Sequence, residues 1–217
     1  MSWWDQWAGR GRRETLFTEN RWVMLDVETS GLNPKEDRLL AIAAIALRVD
    51  WSRQHICIEP GDSFEVLVQQ QELTLDKENI LLHGIGVQRQ QEGLVPDLAL
   101  KAFKAYAGAS PLLAFHAAFD RAVIDRQMSQ HLGRIMPNPW VDVEHLCAVT
   151  HEKVRARALD EWLDYFGITC AVRHQAAADT LAECEVLLRI WPRLVTQCKS
   201  WKDVERLAHM QRWVQRA

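Results

Sequence analysis

Three short stretches carry side chains that could do chemistry together. In LDVETSGLNP, residues 25–34, an apolar run ends on two carboxylates, Asp26 and Glu28. Side chains at i and i+2 of a strand share a face, so the pair projects together, and like charges held that close repel unless a cation sits between them. In LLAFHAAFDRAVID, residues 112–125, a short apolar run passes through His116 and Phe119 to Asp120 near a helix start, where a carboxylate is also a good capping or first-turn group. In RHQAAADTLAECEVLLRIW, residues 173–191, His174 and Asp179 stand five apart at a helix entry, which lets both face one cleft. Taken singly, each stretch has a plainer reading: a solvated strand end, a helix cap, a surface histidine.

The elements that must position these groups follow from periodicity and breakers. Residues 22–27 read as a strand, closed by a turn at Ser30-Gly31-Leu32-Asn33-Pro34. Residues 38–49 read as a long second strand, although Ala41, Ala43, Ala44 and Ala46 leave a helix open, and 55–59 and 63–68 read as two further short strands. A helical piece at 78–83 stops at Gly84 and Gly86. Beyond it come a helix at 97–107, a strand at 111–115, an amphipathic helix at 119–131 and a short edge strand at 140–143. Helices follow at 159–166, at 176–191 with a buried stripe of Leu181, Leu187, Leu188 and Trp191, and at 201–214. A meander followed by strand and helix alternation predicts an α/β fold, a mixed sheet flanked by helices.

Composition bounds the rest. A chain of 217 residues, 48% hydrophobic and 25% charged, fits one globular domain with terminal elaborations. A formal charge of -3 gives no global attraction to polyphosphate, so any nucleic-acid binding must come from local basic groups or bound cations. Five scattered cysteines without a C-x-x-C pair argue against a disulfide framework and a thiolate zinc site, and point to a reducing, cytoplasmic setting. No apolar run is long enough for a membrane span. Trp3, Trp4 and Trp7 would share one face of a short helix, expected to dock on the domain or on a second copy.

The three stretches, in this order, resemble the exonuclease motifs of the DnaQ-like DEDDh family, which includes the proofreading subunit of bacterial DNA polymerase III and ribonuclease T. Asp26-Val-Glu-Thr-Ser-Gly-Leu32 is close to the family's D-x-E-T-x-G-L, and His83-Gly84-Ile85 resembles its H-G-I. The resemblance covers roughly residues 22–191. It implies an RNase H-like fold with a five-stranded mixed sheet, and 3'-to-5' removal of nucleotides with two divalent ions, Mg2+ or Mn2+. It divides the chain into a Trp-rich extension at 1–20, the exonuclease domain at 21–195 and a helical extension at 196–217.

Carried over by position, Asp26, Glu28, Asp120 and Asp179 match the metal-binding carboxylates and His174 the general base. Thr29, Gly31, Leu32, His116 and Phe119 match the pocket for the 3'-terminal nucleotide. The chemistry is consistent: an all-oxygen donor set suits a hard cation, and a neutral imidazole accepts a proton near neutral pH. One departure is His116, where the family often has Asn. Asp125, Asp142 and Glu144 read as surface or capping groups, or as supports behind the metal ligands, while Arg121, Arg126 and Arg173 are candidates to neutralise backbone phosphate. The expected partner is a single-stranded 3' end, with a DNA polymerase or a second copy of the chain left open. A phosphodiesterase on short oligonucleotides and an idle nucleic-acid-binding scaffold are the competing readings.

Overall fold

The computed structural model describes residues 20–71 and 77–213, so the expectation for Trp3, Trp4 and Trp7 lies outside the described residues. Strands β1 (Arg21–Thr29), β2 (Leu39–Asp50) and β3 (His55–Leu67) form the meander, followed by helices α1 (Lys77–His83), α2 (Val87–Glu92) and α3 (Pro96–Ala107). Then β4 (Leu112–Ala114), α4 (Ala118–Leu132), β5 (Trp140–Asp142) and α5 (Val143–Thr150) alternate. Helices α6 (Leu159–Phe166), α7 (Ala176–Gln197) and α8 (Trp201–His209) end the chain, with a 3-10 turn at Met210–Trp213. The five strands make one mixed sheet in the order β3-β2-β1-β4-β5.

Strand β2 is a strand and not a helix because both of its faces are covered, which is what a nearly continuous apolar run permits. On one face of the sheet, Val23, Leu25, Val27, Ile42 and Ala44 pack with residues of α3 and α4, including Leu100, Phe103, Val123 and Ile124. On the other, Trp22, Met24, Leu47 and Val49 pack with Leu146, Leu187, Ile190 and Val204 from α5, α7 and α8. Even-numbered residues of β1 therefore face the α7 layer, and Asp26 and Glu28 continue that row.

Four local expectations need correction. The two short strands at 55–59 and 63–68 are one strand, β3, in which Glu59 pairs with Ala46 and Ser63 with the adjacent Ile45, so Pro60-Gly61-Asp62 bulge out without ending it. Helix α5 follows β5 with no loop, because Asp142 ends the strand and its carboxylate accepts the Glu144 N–H as N-cap. Glu144 itself is buried rather than on the surface. Helix α7 continues through Pro192 to Gln197: proline costs about 3 kcal/mol inside a helix, offset by burying Leu194 and Val195 just beyond it. Finally, α4 is not amphipathic in the simple sense, since its buried face includes Asp120 and Gln127 beside Val123, Ile124 and Met128.

Helix α8 packs into the main core through Trp201, Val204, Leu207 and Ala208. Trp201 meets Trp22 edge-on with ring centroids 4.9 Å apart, and Trp22 in turn lies 5.9 Å from Trp191. The tryptophans of this region thus fasten the C-terminal helix to the first strand.

Candidate active site

The cleft exists because β4 is short. It pairs in parallel with β1 only at Val23–Leu112 and Met24–Leu113, so the C-terminal half of β1 has no neighbour on that side. Where two parallel strands end and the chain diverges, an open α/β sheet leaves a crevice at their carboxyl ends. Asp26 and Glu28 project there. Asp120 arrives from the first turn of α4 and Asp179 from the first turn of α7.

Backbone groups left over at this sheet end are taken up by the acids. The Asp120 carboxylate accepts the Val27 N–H, which β4 would otherwise have to satisfy, and Glu28 accepts the Ala176 N–H at the start of α7. Asp26, Glu28 and Asp179 each offer an oxygen within 4.8 Å of the other two. A buried Oε1 of Glu28 has no hydrogen-bond partner. Three hard oxygen donors converging around an orphaned acceptor fit a divalent cation.

The electrostatics agree. Burial, then repulsion from Asp120, Glu28 and Asp179, holds the Asp26 carboxyl well above the usual carboxylate range. Burial, followed by repulsion from Asp179, pushes Glu28 up to about 8. Asp120 is pushed up to about 7, again chiefly by burial. Without added positive charge, these groups cannot all be ionised cheaply.

Asp179 is 6% exposed and heavily engaged: its Oδ2 accepts the His174 N–H at 2.9 Å, and its Oδ1 accepts from the Cys170 thiol at 3.4 Å and from the Arg173 guanidinium. Arg173 also binds Asp160. His174 sits in the left-handed region at φ 62°, a bend that lets its ring reach the same cleft as Asp179.

The opposite wall is the loop after β1. Thr29 donates through Oγ1 to the Gly31 carbonyl at 2.6 Å, and the Asp37 carboxylate accepts from Ser30 Oγ and from the Asn33 N–H. A Cβ on Gly31 would stand 2.6 Å from Asp37 Oδ2, so any larger residue here must displace the Asp37 carboxylate from Ser30 and Asn33. Leu32 is 90% exposed at the rim. Arg126 is not among the residues lining the cleft: its guanidinium donates to the Asp37 carbonyl and braces the loop. Arg121 pairs with Asp125 on the exposed side of α4, which leaves Arg173 as the one of these three arginines lining the cleft.

His116 also has a left-handed backbone, φ 59°, with its N–H donated to Asp142 Oδ1 at 3.1 Å. Among non-glycine residues Asn, Asp and His adopt that conformation most readily, so His116 is tolerated there. The cleft, of about 800 Å³, is lined by Asp26, Glu28, Thr29, Gly31, Leu32, His116, Phe119, Asp120, His174 and Asp179. All ten residues singled out in the sequence are brought together. Sequence reasoning missed Glu183, also at this cleft: its i+4 spacing from Asp179 puts the two on one helix face but does not say which way that face points. It also missed Asn79 of α1, which donates to the Thr29 carbonyl at 3.3 Å and bonds Nε2 of His83, the first residue of the H-G-I stretch, at 2.6 Å, tying α1 to the end of β1.

The exonuclease family model typified by ribonuclease T matches residues 23–187. A DNA polymerase III subunit epsilon-like protein of Rhodobacter capsulatus is 30% identical over 186 residues, covering 83% of this chain and 25% of that protein. The PolC-type DNA polymerase III of Clostridium perfringens is 25% identical over 169 residues, covering 78% of this chain and 11% of that one. The chain therefore spans a quarter or less of the length of these two relatives. Escherichia coli exonuclease I in complex with a dT13 oligonucleotide superposes with a TM-score of 0.63 over 82% of this chain and 43% of that chain, at 19% identity, a likeness of fold. The chain belongs to the DnaQ-like exonuclease family, with the RNase H-like fold of its structural neighbours. Membership supports a nuclease function on nucleic acid.

Proposed function

We propose that this chain is a 3'-to-5' exonuclease of the DEDDh type, releasing nucleoside monophosphates from the 3' end of single-stranded DNA or RNA. The observation that carries the reading is the convergence of Asp26, Glu28 and Asp179 within 4.8 Å, at a cleft that Asp120 and His174 also line. Asp26, Glu28, Asp120 and Asp179 would hold two divalent ions, Mg2+ or Mn2+. Such ions, when bound, neutralise the phosphate, activate water and stabilise the departing 3' oxygen.

The side chains do the rest. His174 takes a proton from the attacking water as the new P–O bond forms and the bond to the preceding nucleotide's 3' oxygen breaks. Thr29 and the Gly31 backbone fix the terminal nucleotide, while Leu32 and Phe119 offer apolar contact to its base. His116 offers a ring nitrogen toward the substrate backbone. These contacts carry little base identity, so the substrate is defined by a single-stranded end.

The polymerase names of two relatives support a proofreading setting, with a DNA polymerase as partner, and a second copy of the chain is the alternative assembly. Among the described residues no helix is long and apolar enough to cross a membrane, and all five cysteines are free, which supports a cytoplasmic site of action.

The test is digestion of a 5'-labelled single strand, as DNA and as RNA, with Mg2+, Mn2+ or EDTA, and with His174→Ala as control. A metal-dependent ladder shortening from the 3' end and lost in the variant is expected. No ladder on either polymer overturns the proposal.

A further inference from the structure

Glu183 lies one turn beyond Asp179 on α7, is only 2% exposed and takes no part in the steps above. One of its oxygens accepts the Phe115 N–H at the end of β4. The other, Oε2, is buried without a hydrogen-bond partner, and the residue lines the cleft. Three acids repel it, Asp26 most, then Asp120, then Asp179.

A carboxylate in that position is costly by itself. Its neighbours on the helix, Ala182, Val186 and Leu187, are core residues, and an apolar side chain there would leave no orphaned oxygen. A cation reverses the balance. The tight trio of Asp26, Glu28 and Asp179 includes neither Asp120 nor Glu183, yet both of these interact with Asp26. Asp26 therefore belongs to the trio and also feels the charge of Asp120 and Glu183, which line the same cleft.

We infer that Glu183 is a fifth carboxylate of the cation centre, its Oε2 supporting a divalent ion on the Asp26 and Asp120 side of the cleft. This rests on the two-cation reading above and extends it. The role is that of a positioning residue: Glu183 holds charge against the floor of the site while Phe115 fixes its orientation. Loss of such a supporting group typically weakens metal binding 10- to 100-fold.

The test is calorimetric titration of Mn2+ into the full chain, without nucleic acid, for the parent protein, Glu183→Gln, Glu183→Leu and Asp26→Asn. Glutamine keeps the shape and can still accept the Phe115 N–H, and leucine suits the packing, so both variants should show parent-like circular dichroism. The expected result is weakening of the weaker Mn2+ event by roughly tenfold or more in both Glu183 variants. Parent-like Mn2+ binding in both, with binding lost in Asp26→Asn, overturns the role of Glu183 and leaves the cation centre standing. No Mn2+ uptake by the parent, or none lost in Asp26→Asn, overturns the cation centre and this inference with it.

Discussion

The Arg173 guanidinium is bonded to the Asp179 carboxylate, so one member of the acidic trio already carries a positive partner. A divalent ion at the trio competes with that pair. Removing the arginine should make cation binding easier, by about 1 kcal/mol or roughly fivefold for a partly exposed ion pair. Calorimetry of Arg173→Gln with Mn2+ should show the gain. Weaker binding in the variant would mean that Arg173 supports the site instead of competing for it.

Asp26 is repelled by Asp120, Glu28 and Asp179, so its removal separates function from stability. Asp26→Asn should abolish turnover while raising metal-free stability by roughly 1 kcal/mol near pH 8. Urea denaturation in EDTA measures the second effect. Retained nuclease activity would dismiss the site assignment.

Stability of the metal-free protein should fall as the solution becomes more alkaline. Glu28 and Asp120 are raised from 4.5 and 3.8 to about 8 and about 7, so the folded chain keeps protons that the unfolded chain has already released. Between about pH 4 and pH 8 the unfolded state binds fewer protons, which makes the slope negative. Melting temperatures in EDTA should therefore decline from pH 5 to pH 8, and Mn2+ should restore them at pH 8. A profile that rises over this window contradicts the burial of these acids.

His174 has two separable properties, its ring and its left-handed backbone. Both His174→Ala and His174→Asn should lower the rate by about 10²- to 10⁴-fold with Mn2+ affinity little changed. Asn tolerates the backbone better than Ala, so it should be the more stable variant in a thermal melt. Equal activity of the Asn variant and the parent would remove His174 from the proton transfer.

Gly31→Ala puts a methyl group against an Asp37 carboxylate already held by Ser30 and Asn33. The loop must shift while the acids stay in place. A raised KM with a nearly unchanged kcat on a single strand is expected, and the reverse split would place the loop in the chemical step instead.

The three motifs were legible because each acid breaks an apolar pattern at an element boundary, where a side chain with no packing role stands out. The strands were legible from their apolar runs. Glu183 was hidden because an acid four residues after another on a helix reads as the solvated face; only the packing of α7 on β1 turns that face inward. The same misjudgement placed Leu181 in the buried stripe, whereas it is 42% exposed. The role of Arg126 depends on a contact with Asp37 across 89 positions of sequence, which no local pattern encodes. The continuity of β3 past Pro60-Gly61 likewise rests on pairing with β2, not on its own residues.

The brevity of β4 has a further meaning. Extending its ladder with β1 by two rungs, as far as Asp26 and Phe115, would be an obvious way to strengthen the sheet, but that extension needs the Val27 N–H now held by Asp120. The backbone amide can serve the architecture or the acid, not both. Engineering for heat resistance at this edge should therefore trade directly against the site, and stabilising substitutions belong on the far side, around α8 and its tryptophans.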